Sequence, residues 1–109
     1  MRFRTLEHSL RCITLLRQLL PTVRKHDPKL AGHLRDAGSS IALNLAEGNR
    51  RQGRDRIHLW NVASGSAEEV RTALRVAMAW GYVTAPQAAA ASDKLDHVVA
   101  VLYKLTRRR

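Results

Sequence analysis

Ser39-Ser40-Ile41-Ala42-Leu43-Asn44-Leu45-Ala46-Glu47-Gly48, followed by Asn49-Arg50-Arg51-Gln52-Gly53-Arg54-Asp55-Arg56, is the stretch on which the reading of this chain turns. Its first ten residues are mostly apolar and helix-compatible. Ile41 and Leu45 lie one turn apart, and Leu34 and Leu30 continue their row toward the N-terminus. His33, Ser40, Asn44 and Glu47 line one edge of that row, where a helix burying its face would not need polar groups. Gly48 reads as the stop, since glycine enters the left-handed cap conformation without a Cβ penalty. Four arginines in seven residues follow, with Gly53 among them. An apolar stripe with a polar edge, a glycine and a basic loop therefore set the frame.

Outward from it, the same periodicity recurs. Leu6, Leu10, Ile13, Leu16 and Leu20 predict a first helix over residues 5–20, ended or kinked by Pro21. Asp27 as N-cap and Pro28 at the first helical position announce the second, which runs to Gly48. Gly32 and Gly38 within it suggest close approach of a neighbouring helix. The third helix is expected from Arg54 or Asp55 to Trp80, with Gly81 as its stop. Its seam is Trp60, Ala63, Ala67, Val70, Leu74 and Ala77, at heptad-like spacing. A second row, Leu59, Val62, Ala73, Val76 and Trp80, lies about 100° around the same helix. The apolar arc is thus wider than one buried face needs, so this helix is central or lends its second row to another subunit. Thr84 and Pro86 open a fourth helix with the stripe Ala88, Ala91, Leu95, Val98, Leu102 and Leu105, ending in Arg107, Arg108 and Arg109. Four helices with short links, and no alternating strand pattern, predict an all-α, antiparallel up-down four-helix bundle spanning residues 1–109 as one domain.

Charge is the strongest compositional fact. Nineteen Lys and Arg against nine Asp and Glu leave a formal +10 and a pI near 11.3, and only Arg71 and Arg75 fall within residues 60–80. Such a balance favours a polyanionic partner, nucleic acid before anionic membrane, over a merely solvated surface. Arg50, Arg51, Arg54 and Arg56, helped by Arg107, Arg108 and Arg109, are the candidate phosphate contacts, because the guanidinium fork pairs bidentately with phosphate. Few aromatics are available to stack on bases, so recognition of backbone and shape, in RNA or DNA, is favoured over sequence reading. Trp60 reads as core, and Trp80-Gly81-Tyr82 as a subunit contact.

Catalysis and cofactors find little footing. The five histidines show no metal-ligand spacing, Cys12 is alone, no nucleophile elbow or nucleotide-binding glycine loop is present, and no cofactor is implied. Glu47 and Glu69 would be paired carboxylates if the second and third helices met at those positions. The structural reading, with Glu47 accepting from a hydroxyl or a basic group and Asn44 bridging backbone, is preferred, and no enzymatic activity is expected. No apolar run approaches the ~20 residues of a membrane span, and a lone thiol fits a reducing compartment; cytoplasmic location without membrane partnership is the expectation.

Three segments together resemble a known family: Ser40-Ile41-Ala42-Leu43-Asn44-Leu45-Ala46-Glu47-Gly48, then Ala63-Ser64-Gly65-Ser66-Ala67-Glu68-Glu69, then Trp80-Gly81-Tyr82-Val83. The family includes four-helix-bundle proteins encoded within intervening sequences of bacterial large-subunit ribosomal RNA genes. Asn44, Glu47 and Gly48 fall on its S-I-x-x-N-I-A-E-G signature, and Gly65, Ser66 and Glu69 on its G-S-x-x-E positions. Ala42 stands where many members have proline, and Arg56 where an aromatic is common. The resemblance implies a bundle assembling as a ring, commonly a pentamer, without enzymatic activity. Leu59, Val62, Val76 and Trp80 are then the expected contacts between copies. More remotely the chain is similar to the accessory variability determinants of diversity-generating retroelements, basic pentameric bundles that bind RNA or DNA and the element's reverse transcriptase. Two roles follow as expectations: an oligomeric nucleic-acid-binding accessory of a reverse transcriptase, or a structural or protein-interaction module with no direct nucleic-acid role.

Overall fold

In the computed structural model, which describes residues 3–107, four helices account for nearly all of the chain: α1 (Arg4–His26), α2 (Pro28–Asn49), α3 (Gly53–Ala79) and α4 (Ala85–Arg107). Each packs on its neighbours in sequence, and α1 closes the bundle against α4. The links are one to five residues long, while each helix spans about 33 Å or more at 1.5 Å per residue, so consecutive helices run antiparallel. Cross-helix contacts agree: Trp60 meets Leu45, Ser66 meets Ser40, and Glu69 meets His33 as α3 descends along α2.

The core is continuous from end to end. The expected α3 seam is buried throughout, as are Leu34, Ala37, Ile41 and Leu45 of α2 and Ala88, Ala91, Leu95, Val98 and Leu102 of α4. Leu105 is half-buried against it. Burial of this stripe stabilises each helix far more than residue propensity alone can.

Three helix ends follow sequence chemistry. The Asp27 carboxylate accepts from the Leu30 N–H at 3.0 Å, capping α2 with Pro28 at its start. Thr84 and Gln87 form a reciprocal capping box at α4: Thr84 N–H donates to Gln87 Oε1 at 2.8 Å, and Gln87 N–H to Thr84 Oγ1 at 3.2 Å. At the end of α3, Gly81 has φ +80°; its N–H donates to the Met78 carbonyl and the Tyr82 N–H to the Ala77 carbonyl, a Schellman motif.

Several expectations are corrected. Pro21 lies inside α1, which continues to His26. Pro21 is exposed, and the lost backbone bond is outweighed because Leu16, Leu19 and Val23 on either side are all buried. The buried face of α1 is Thr5, Ser9, Cys12, Leu16, Leu19 and Val23; it shares Leu16 with the row read from the sequence, but Thr5, Ser9, Cys12 and Leu19 each lie one residue before their expected counterparts. The large residues of its C-terminal half set the rotation of the helix, and a continuous helix then carries Cys12, Ser9 and Thr5 inward whatever their size. Leu10 is left exposed, and the Ser9 hydroxyl is satisfied by the Leu6 carbonyl at 2.7 Å. Gly48 is not a left-handed stop. It is buried within α2, and a Cβ there would stand 2.6 Å from Cδ1 and Nε1 of Trp60. Close approach is the use of Gly48, whereas Gly32 has nothing within 4 Å of such a Cβ and Gly38 only ordinary contact with Leu16. Tyr82 contacts its own chain, stacked on His26 at 5.1 Å with its hydroxyl donating to Asp27 Oδ2 at 3.4 Å.

Candidate nucleic-acid interface

The up-down topology gathers the start of α1, the α2–α3 turn, the start of α3 and the end of α4 at one end of the bundle. Counting described residues in the turn or within three of a helix end, seven cations meet there: Arg4, Arg50, Arg51, Arg54, Arg56, Lys104 and Arg107. They face only three carboxylates, Glu7, Glu47 and Asp55. The opposite end holds Arg24, Lys25 and Lys29 with Asp27, and the middle of the bundle is nearly neutral. The charge excess seen in composition is therefore polarised along the long axis of a 42 × 23 × 22 Å molecule.

The four loop arginines do different work. Arg50 and Arg51 both pair with Glu47, at 3.1 and 2.8 Å, and Arg51 also lies 3.8 Å from Asp55. Glu47 thus accepts from basic groups, one of the two expectations for it. Arg56 turns back onto α2: its Nε donates to the Gly48 carbonyl at 3.1 Å and Nη2 to the Asn49 carbonyl at 2.9 Å. It caps the C-terminus of α2, where a cation also complements the helix dipole, and its guanidinium sits 5.2 Å over the Trp60 ring. Arg54, among the described residues, is exposed and carries no ion pair or side-chain hydrogen bond. Arg107 lies 4.6 Å over the Tyr103 ring. Arg108 and Arg109 lie outside the described residues.

Trp60 organises this end. Phe3 stacks on it at 5.8 Å, Arg56 covers it, Gly48 lets it approach α2, and its Nε1 donates to the Leu45 carbonyl at 3.3 Å. Beside it an open groove of about 870 Å³ runs between the start of α3 and the end of α4. Its lining combines apolar Ile57, Trp60 and Leu105 with polar Arg54, Arg56, His58 and Asn61. Nothing in the sequence singles out Ile57, His58, Asn61 or Leu105 as groove residues. Leu105 reads there as core, and only the juxtaposition of α4's end with α3's start reveals the groove.

The polar signature splits into three groups along α2 and α3, around Ser40, His33 and Glu47. Asn44 Nδ2 donates to the Ser40 carbonyl at 2.9 Å and to Ser40 Oγ at 3.1 Å, and Ser66 Oγ lies 2.8 Å from Ser40 Oγ. Asn44 thus bonds backbone within its own helix and reaches α3 through Ser40. Glu69 lies 3.9 Å from His33, one end of the seam, whereas Glu47 sits at the other. His33 and Glu47 are fourteen residues, about 21 Å, apart along α2, so Glu47 and Glu69 do not form a carboxylate pair. Gly65 is exposed, and a Cβ there would meet nothing within 4 Å.

Of the second α3 row, Ala73 is buried and Leu59 half-buried, while Val62, Val76 and Trp80 are 38, 36 and 70 % exposed. Leu43 on α2, at 68 %, adds to them; it stands level with Val62 given the Leu45–Trp60 and Ser40–Ser66 contacts.

At the α1·α4 seam, Lys94 Nζ lies 3.2 Å from His8 Nδ1, and the His97 ring meets the His8 ring edge-on at 4.4 Å. Burial, then Lys94, His97 and Arg4, hold the His8 pKa below its ordinary 6.5. Burial pushes the Cys12 thiol up to about 11, an unreactive thiol. No cluster of three or more His, Cys, Asp or Glu among the described residues has metal-binding geometry. None of the described helices is long and apolar enough to cross a membrane.

Comparison with known proteins agrees with the geometry. No curated protein is significantly similar to the chain. The crystal structure of a protein of unknown function from the S23 ribosomal protein family of Bacteroides thetaiotaomicron superposes with a TM-score of 0.86 at 20 % identity. The match covers 95 % of this chain and 99 % of that one, and establishes the shared four-helix fold. The family model described as 23S rRNA-intervening sequence protein matches residues 5–104. With nearly its whole length matched, the chain belongs to the family of 23S rRNA-intervening sequence proteins.

Proposed function

We propose that this protein is a non-enzymatic nucleic-acid-binding bundle that presents its cationic end to the phosphate backbone of RNA or DNA. The observation that carries the reading is the polarised charge: seven cations against three carboxylates at one end, with Arg54 unpaired among the described residues. Arg50 and Arg51 contribute as a neutralising pair around Glu47 that a phosphate can partly displace, since exposed ion pairs are weak. Arg56 acts through architecture, holding the α2–α3 turn in place.

The exposed row Val62, Val76 and Trp80, with half-buried Leu59 beside it, supports self-assembly, and a ring would repeat the cationic end around its axis. Repetition converts weak single contacts into avidity. The resemblance to retroelement accessory proteins extends the proposal to a reverse transcriptase as protein partner; a reverse-transcriptase gene beside this one, and co-purification of the two products, would bear on it.

Filter binding at two salt concentrations tests the central claim. Affinity should fall steeply with salt, because each neutralised phosphate releases counterions. Replacing Arg50, Arg51 and Arg54 with glutamine, while leaving Arg56 to cap α2, should weaken binding to all sequences and flatten the salt slope, with helicity unchanged. Absence of saturable binding at about physiological salt would leave the charge as surface solvation only.

A further inference from the structure

The groove at the cationic end has a shape and a chemistry that backbone binding alone does not use. Arg54, Ile57, His58 and Asn61 follow one another at spacings of one, three and four that keep them on a single face of α3, with Leu105 of α4 across the opening. The α3 side presents apolar Ile57 beside polar His58 and Asn61, and Leu105 of α4 adds a second apolar side chain. His58 and Asn61 are both exposed, and their side chains supply a ring nitrogen pair and an amide with both donor and acceptor. Trp60 is 7 % exposed and already in contact with Phe3 and Arg56, so it lines the groove with little ring surface left for a ligand.

Resting on the nucleic-acid reading above, we propose that this groove accepts one unpaired nucleotide, its base between Ile57 and Leu105 with its polar edge toward His58 and Asn61, and its phosphate on Arg54. The volume lies within the range of small-molecule sites. Bases stacked inside a duplex cannot enter such a recess, whereas a single strand, bulge or loop can splay one base into it. An acidic amphipathic helix, the competing occupant for a cationic groove, needs a row of apolar anchor pockets over two turns. Here the apolar lining is one patch beneath Ile57, Trp60 and Leu105.

The experiment compares three short labelled ligands at one salt concentration: a single strand, the same strand with its bases removed, and a duplex, each in ribo and deoxy form where it can be made. The full-length protein should bind the base-bearing strand about tenfold more tightly than the abasic one. Asn61→Leu, which crowds the groove from an exposed position without offering a ring for a base to stack on, should bring the two affinities together without weakening the abasic strand. Leu105→Ala, removing the apolar side chain contributed by α4, should do the same, and circular dichroism confirms that each variant keeps its helix content. Arg54→Gln should weaken both strands alike. Equal affinity for base-bearing and abasic strands, or preference for the duplex, overturns the nucleotide site and leaves backbone binding standing. An acidic apolar peptide whose binding is lost in Asn61→Leu, while strand binding is untouched, overturns it in favour of a protein-docking groove. No binding of any of the three sinks this inference and the functional reading together.

Discussion

Gly48 and Gly32, both inside α2, have opposite roles. Gly48 is held against the Trp60 ring, which is fixed by Phe3, Arg56 and the Leu45 carbonyl, so the ring has little room to give. Gly48→Ala should therefore cost about 1–3 kcal/mol through overpacking, read as a fall of several degrees in Tm. Gly32, helical and with open space where a Cβ would stand, should respond in reverse. Gly32→Ala is expected to raise stability by about 0.5–1 kcal/mol. His8 gives a second prediction at this scale. Lys94 Nζ lies 3.2 Å from Nδ1, and protonation of the ring would set a third cation against Lys94 and Arg4. A depressed histidine pKa means that the unfolded chain binds the proton more readily. Its contribution is therefore intact above about pH 6.5 and lost as pH falls below it. Urea midpoints at pH 7.5 and 5 should fall with acidification in the wild type, and less in His8→Asn. Equal slopes for the two proteins would remove His8 from the account.

At the scale of elements, the α2·α3 contact combines an apolar seam with a hydrogen-bonded polar chain. Ser40 is its hub, joined to Asn44 on its own helix and to Ser66 across the seam. Ser66→Ala should cost about 1 kcal/mol, and Ser40→Ala a similar amount. The double variant should cost less than the sum, because the two hydroxyls share one bond. Additive losses in chemical denaturation would mean that the serines act separately. The helix ends are legible from residue order because caps are local: Asp27, Thr84 with Gln87, and Gly81 each satisfy groups within five residues. The rotation of α1 is not legible, since it depends on which three large residues of its far half find the core.

For the whole molecule, charge and exposed apolar surface make separate predictions. Light scattering at micromolar concentration should show an oligomer, and Trp80→Lys or Val76→Lys should reduce its mass while helicity is kept. A wild-type monomer under those conditions would refute the assembly. Arg56→Gln should differ from Arg54→Gln: the first loosens the α2–α3 turn and lowers Tm, the second leaves Tm unchanged and acts on binding alone.

The residue order by itself determined that the chain is four helices, where three of their ends lie, which α3, α2 and α4 positions are buried, and which family it joins. Helical periodicity and capping are short-range, so a dozen residues hold the information. Only the tertiary structure decided that Gly48 serves Trp60, that Arg56 caps α2 while Arg54 has no partner among the described residues, and that Glu47 and Glu69 lie apart. It alone brought Leu105 to the α3 groove. Those facts join residues on different helices, and no local pattern encodes a distance across a bundle.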